Sequence, residues 1–251
     1  MAPTKKDLSW ITFDALCEIA KQSFKGALKK IENPPATISE PTLLLMHSAA
    51  SGFTMEESLK ALEAQSAVKS LQNAVGNFHQ KVLGNVSGWQ DMGTSGGIYD
   101  ISSKDKVAAA GNRKVLAEIK MRYNTIKASD EWQLHQKLAD AVAQNGGSKK
   151  AVAYLVQMVP LGAKSYDRPW NPSKVKTVDH VRVIDGRTGY HMVTGDPNAL
   201  SDLFGILPDV FDAVVTEKIS NPYHFNWPED RITLDRVFNA SYPSESAHSA
   251  D

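Results

Sequence analysis

Apolar positions follow two rhythms along the chain, one of three to four residues and one of two. The longer rhythm dominates the N-terminal third. Leu8, Ile11, Leu16, Ile19, Leu28 and Ile31 predict a helix over 8–31, stopped by Asn33-Pro34-Pro35. Residues 36–53 read as a connection with one short helix, LLLMHSAA. Thr54-Met55-Glu56-Glu57 then has capping-box form: a hydroxyl and a carboxylate three apart satisfy the first free N–H groups of a helix. Val68, Leu71, Val75, Phe78 and Val82 continue it at steps of 3, 4, 3 and 4, a stripe expected to pack in the core. Gly84 is placed to end the run.

Beyond Gly84 the rhythm shortens. GNVSGWQDMGTSGGIYD reads as loop and turn, Gly96 to Ile101 as the entry to a short strand ending near Asp100, and SSKDKVAAAGNR as a connection. Residues 114–123 predict a strand with Ala117, Ile119 and Met121 on one face and Leu116, Glu118 and Lys120 on the other. An amphipathic helix follows over 129–144, capped by Ser129 and ended by Asn145-Gly146-Gly147. AVAYLVQMVP, 151–160, is apolar throughout, as in a strand covered on both faces. Residues 178–184 and 189–194 predict a hairpin across Asp185-Gly186. Residues 198–218 return to helix, interrupted at Pro208, and the polar tail SYPSESAHSAD is expected to fray. The pattern is α/β (α+β): a mixed central sheet flanked by helices. We expect one domain over 1–251, mainly helical over 1–84, with its chemistry over 85–220 and a polar tail from 240.

Composition changes this picture in two places. There is a single cysteine, Cys17, which excludes an internal disulfide and a Cys-based zinc site and fits a reducing cytoplasm. No apolar run reaches membrane-spanning length, and MAPTKKDLSW has no segment of signal-peptide length. The 28 basic and 28 acidic side chains cancel overall, but residues 102–187 carry 16 basic and 8 acidic, against 3 and 10 over 188–251. A basic middle suits a polyanionic partner.

Candidate chemistry lies in that basic third. Glu118 and Lys120, two apart on a strand, share a face about 7 Å apart. If the strand ending at Asp100 pairs with it as a hairpin, Asp100 and Glu118 converge. Two carboxylates at one point make a hard-oxygen site suited to Mg²⁺, and the adjacent lysine can hold or polarise water there, an apparatus for metal-assisted phosphodiester hydrolysis. An acid-x-Lys triplet alone is common by chance; its place on a strand, after an Asp-bearing strand and before a helix, gives it meaning. Other chemistry lacks support. Gly93-Thr94-Ser95-Gly96-Gly97 is not followed by Gly-Lys-Ser/Thr, and no histidine pair has HExxH spacing.

With GGIYD, AEIKMRYNT, a helix and AVAYLVQMVP, the chain resembles the PD-(D/E)xK nucleases. NAVGNFHQ before GWQDM, with EIK-x-x-YNT and the later PWNPS, resembles more closely the type II restriction endonucleases that cut GGNCC or GGWCC sites. The resemblance spans about residues 70–220. It implies that Asp100 and Glu118, with the Ile119 backbone carbonyl, bind Mg²⁺, and that Lys120 is the catalytic lysine. It departs from the motif at Tyr99, where a proline is expected, and at Met121, where a polar residue is expected. It further implies double-stranded DNA as substrate, 5′-phosphate and 3′-hydroxyl products, a two-fold homodimer, and a cognate DNA methyltransferase encoded alongside. The 54–83 helix is a candidate for the dimer interface, and Gln80, His79 or Glu63 for a further polar group at the site.

Guanines are read by Arg or Lys in the major groove. Lys164, Arg168, Asn171, Ser173, Lys174, Arg182 and Arg187 are the candidate DNA contacts, with the 161–174 segment expected as a surface loop. Arg122, Asn124 and Thr125 either reach the scissile phosphate or fix the turn after the strand. Two rivals stay open: a repair or recombination nuclease of the same fold, and a catalytically silent DNA-binding module.

Overall fold

The computed structural model describes residues 7–32, 40–93, 97–216, 219, 222–226 and 229–248. In chain order its elements are α1 (Phe13–Glu32), α2 (Pro41–Ser51), α3 (Met55–Asn85), β1 (Trp89–Asp91), β2 (Ile101–Val107), a 3₁₀ turn (Ala108–Ala110), β3 (Arg113–Arg122), α4 (Ala128–Gln144), β4 (Ala151–Val159), β5 (Asp167–Pro169), β6 (Val181–Asp185), α5 (Gly186–Thr194), α6 (Ala199–Val215) and α7 (Glu229–Ser241). One six-stranded sheet runs in the order β1-β2-β3-β4-β6-β5. The first three strands form an antiparallel meander, β3, β4 and β6 are parallel, and β5 returns antiparallel on β6.

Side-chain alternation gives the sheet two covered faces. Val115, Ala117 and Ile119 of β3, with Val152, Tyr154, Val156 and Met158 of β4, join a core built from α1, α3, α5 and α6. Leu116 and Ala151, Ala153 and Leu155 pack on the other side against Leu138, Ala141 and Val142 of α4. The expected faces of β3 and the double coverage of β4 are therefore found. So is the Thr54–Glu57 capping box at the head of α3.

Several expectations are corrected. Leu8 and Ile11 bridge to one another before α1 begins at Phe13, and the predicted stop at 33–35 lies outside the described residues. The apolar stripe of α3 packs as expected, fully buried at Phe78 and Val82 and partly buried against the core at Leu71 and Val75; only Val68 is exposed, because α1 does not reach that far. The presumed loop after α3 contains β1, and the presumed connection after Asp100 is β2, so Asp100 precedes β2 instead of ending it. Polar residues mislead there because β2 is exposed over Lys104–Lys106. Gly84 lies inside α3, where a Cβ would fall 2.8 Å from the Asp91 backbone; glycine permits that crossing. Ser129 does not cap α4: Lys127 is the N-cap residue, and the Ser129 hydroxyl donates to Asp130 Oδ1.

The predicted 178–194 hairpin is absent. β6 pairs parallel to β4, and Gly186–Thr194 is helix α5. The Asp185 carboxylate caps α5, accepting the Thr188 N–H at 3.0 Å, and the missing Cβ of Gly186 lets the helix start against the Met158 carbonyl. α6 runs through Pro208 unbroken, because buried Leu203, Leu207, Val210 and Val214 hold both halves to one core. The 161–174 segment contains edge strand β5. α7 has no counterpart in the sequence reading. The tail is docked, not frayed, as far as His248: Tyr242 and Ser246 are buried, the Ala247 N–H donates to Thr188 Oγ1, and His248 Nε2 lies 2.7 Å from Asp167 Oδ2.

Two glycines of α3 should respond oppositely to alanine. Gly84→Ala forces the helix off β1 and should cost about 1–3 kcal/mol in urea unfolding. At Gly76 the new methyl meets only Met121 Cγ at 3.5 Å, so Gly76→Ala should be neutral or stabilise by up to about 1 kcal/mol.

Candidate active site

β3 outruns its antiparallel neighbour. Pairing with β2 begins at Ile101↔Ala117, so 118–122 have a strand only on the β4 side. Asp100 sits in the resulting notch. Its backbone N–H donates to the Ala117 carbonyl at 2.9 Å. Its Oδ2 accepts the Ile119 N–H at 2.7 Å, where a strand carbonyl would otherwise stand. N–H and C=O of one strand residue face the same side, so the Ile119 carbonyl opens toward Asp100.

Glu118 and Lys120 project from the α4 face of β3. Lys120 Nζ donates to Glu118 Oε1 at 2.6 Å, with the lysine the more exposed of the two. Burial pushes the Asp100 carboxyl up to about 6; the Glu118 charge adds to this, while the Ile119 N–H and Lys120 oppose it. Asp91 raises it slightly further. With the Asp100 carboxyl raised beside Glu118 and a single ammonium at the pair, the site is short of positive charge. Among the described residues no group of three or more His, Cys, Asp and Glu gathers as a metal-ligand cluster. The hard oxygens at the notch expected from the sequence are those of Asp100, Glu118 and the Ile119 carbonyl.

The neighbours come from three further elements. Gln80 of α3 donates to Asp91 Oδ1 at 2.9 Å and makes a long contact, 3.5 Å, to the Asp100 carbonyl. Gly93 N–H also donates to Asp91 Oδ1. On β4, Gln157 is the register partner of Lys120 and accepts from the Tyr166 hydroxyl at 2.6 Å. The site lies toward the C-terminal ends of the parallel strands β3, β4 and β6, where open α/β sheets form binding crevices.

Residues 9–216 match the Eco47II restriction endonuclease family. The chain belongs to that family. It is 32% identical over 201 residues to the type II restriction enzyme Eco47II of Escherichia coli, covering 77% of this chain and 80% of that one. It is 28% identical over 216 residues to the type II restriction enzyme Sau96I of Staphylococcus aureus, covering 76% and 77%. As a restriction endonuclease the chain is a site-specific deoxyribonuclease, and DNA is its substrate. No helix among the described residues is long and apolar enough to cross a membrane.

For a restriction endonuclease the position of each basic candidate matters. Arg122 is exposed at the last position of β3, and Asn124 and Thr125 are exposed just past it. Thr125 donates from its hydroxyl to the Arg122 carbonyl at 2.8 Å, so it fixes the turn. Lys164, Arg168, Asn171, Ser173 and Lys174 are exposed around β5. The Arg168 guanidinium lies 5.4 Å above the Tyr166 ring, and Asn171 Oδ1 accepts from Thr177. Two candidates fail. Arg187 is buried at 7% exposure with its guanidinium over the Phe238 ring, and burial lowers its pKa; it is a packing residue. Arg182 is spent on Asp167, 2.6 Å away, and braces β5 against β6.

Of the three polar candidates on α3, Gln80 alone reaches the site. His79 is buried against the Tyr190 hydroxyl at 2.7 Å, and burial lowers its pKa to about 4. Glu63 lies about 25 Å from Gln80 along the helix axis. Asp91, Gln157 and Tyr166 were missed. Asp91 sat in an apparent loop, and the latter two are brought in by the β3–β4 register, which sequence spacing does not reveal.

Raised from 3.8 to about 6, Asp100 contributes stability below about 3.8 that is lost as pH rises through about 6; above that the charge is a cost. Asp100→Asn keeps an acceptor for the Ile119 N–H and removes the charge. In EDTA it should stabilise the fold by about 1–3 kcal/mol at pH 7.5 and much less at pH 4.5, read by urea unfolding at both. Equal effects at the two pH values would refute the raised carboxyl.

Proposed function

We propose that this restriction endonuclease acts as a Mg²⁺-dependent homodimer, cutting both strands of a short GC-rich palindrome of the GGNCC or GGWCC type and leaving 5′-phosphate and 3′-hydroxyl ends. The observation that carries the chemistry is the convergence of Asp100, Glu118 and Lys120 at one notch of the sheet. The family generally implies a divalent cation. Two neighbouring carboxylates and a carbonyl, with no thiol or imidazole, suit a hard cation that completes its shell with water and phosphate oxygens. Asp100, Glu118 and the Ile119 carbonyl would hold it. Bound there, it supplies positive charge to the scissile phosphate and acidifies water.

The chain's own groups do the rest. The Asp100–Ile119 hydrogen bond fixes the direction of one carboxylate, and the Glu118–Lys120 pair fixes the other. Lys120 presents its remaining N–H bonds outward to orient the attacking water and offset charge gathering on the phosphate. The water oxygen bonds to phosphorus and its proton passes to solvent, while the bond to the 3′ oxygen breaks and that oxygen keeps the electron pair and takes a proton from solvent, giving the 3′-hydroxyl. Arg168, Lys164, Asn171, Ser173 and Lys174 form the candidate DNA-reading edge, with Arg122 and Asn124 nearer the scissile phosphate. A palindromic target matches two-fold protein symmetry, and a methyltransferase of the same specificity is expected beside the gene.

Bacteriophage DNA incubated with the protein should give discrete bands with Mg²⁺ and none with EDTA, the ends mapping to one five-base site. Glu118→Ala and Lys120→Ala should each abolish cutting while leaving the unfolding midpoint and DNA binding in place. A smear would favour the repair-nuclease reading, and uncut DNA the silent binding module.

The two classes of arginine separate in a binding titration against salt. Arg168→Ala should weaken binding and lower the slope of log K against log salt by about one. Arg187→Ala should leave that slope unchanged and lower the unfolding midpoint.

A further inference from the structure

α2 buries none of its eleven residues, although Leu43, Leu44, Leu45 and Met46 lie in it. The reason is its position. α1 runs antiparallel to α3: Lys30 reaches Ser70 and Gln22 meets Lys81. α1 ends at Glu32, so residues 55–68 of α3 project about 20 Å beyond it, with α2 packed along them. Ser58 and Leu62 are the residues this half of α3 buries. The two helices make an arm whose outer side carries Leu43, Leu45, Met46, Phe53, Met55 and Val68, each between 45% and 66% exposed.

We propose that this arm is the surface on which a second copy of the chain docks, the two arms packing as four helices about a two-fold axis. The inference rests on the homodimer reading above and names its surface. Three observations select a second copy. The first is area. Half-exposed side chains of this size leave on the order of 100 Å² each, about 600 Å² in all. That is the upper limit of what a monomer leaves bare and most of the ~800 Å² per partner in a standard interface. The second is charge. Residues 41–55 contain no Asp, Glu, Lys or Arg. Across a two-fold axis a surface meets itself, so any charge there would meet its like; the α2 side of the arm has no such cost, and on the α3 side Glu56 is paired with Lys60. The absence of Lys and Arg from 41–55 leaves α2 nothing to neutralise phosphates, which separates it from the basic candidate DNA edge. The third is stoichiometry. The described residues hold one Asp100–Glu118–Lys120 set, and cutting both strands of a duplex takes two.

The test is sedimentation equilibrium of the full chain without DNA, with cleavage assayed separately. The wild type should weigh twice its chain mass of 27.5 kDa. Leu45→Glu combined with Met46→Glu should weigh 27.5 kDa with an unchanged circular dichroism spectrum, because neither side chain is buried. It should also cut supercoiled plasmid at least tenfold more slowly at low protein concentration. If glutamate prevents folding, serine at both positions replaces it, with the same shift toward monomer expected. A monomeric wild type, or a dimer that both variants leave intact, overturns the proposal. A dimer that the variants dissociate but that never cuts DNA upholds the surface and overturns the nuclease chemistry instead.

Discussion

The Ile119 amide is where the sheet runs out of strand. β3 extends past β2, and a backbone N–H there must find an acceptor or go unpaired at a cost of about 1–3 kcal/mol if buried. The Asp100 carboxylate supplies it. That one bond closes the notch, turns a carboxylate toward the face carrying Glu118 and Lys120, and holds it in a place that raises its pKa to about 6. The rest of the site is arranged around it. Gln80 and Asp91 brace the approach to β2 from the α3 side, and Gln157 and Tyr166 line the crevice from the β4 side. The geometry originates in the mismatch in length between two neighbouring strands; the raised pKa originates in the burial of the place so created, which the Ile119 bond opposes.

The β5 edge proposed to read DNA depends on a second set of bonds. Asp167 takes Arg182 on one oxygen and His248 on the other, tying β5 to β6 and to the C-terminal segment. Asp185 does comparable work one strand away, accepting from Tyr166, Thr188 N–H and the Thr188 hydroxyl. Arg168 is exposed because its neighbours are not: the charges around it are already paired. The family match ends at 216, so the His248 contact is made by a stretch beyond it.

The legible parts of the sequence are those where local chemistry decides structure. The Thr54 capping box, the alternation of β3 and the apolar run of β4 each report themselves within a few residues. So do Glu118 and Lys120, because a spacing of two on a strand fixes a common face. The illegible parts are decided by distant partners. β2 looked like a connection because Lys104, Asp105 and Lys106 face water. Asp185-Gly186 had hairpin chemistry, yet Asp185 caps a helix and Gly186 admits the Met158 carbonyl. Arg187 and Arg182 looked like DNA contacts by charge; Phe238 and Asp167, far off in sequence, claim them. The docked tail was hidden for the same reason, since serine and histidine reveal nothing about burial until Thr188 and Asp167 are beside them.

The strand order β1-β2-β3-β4-β6-β5 puts β1 and β5 at the edges of the sheet. Each is three residues long, and β5 ends in Pro169. An edge so short, with an imino acid at its end, is a poor template for an added strand. Edge-to-edge growth of the sheet into open-ended fibres is thereby disfavoured, which leaves helices, whose side-chain packing can close on a finite number of subunits, as the surfaces suited to any association of copies.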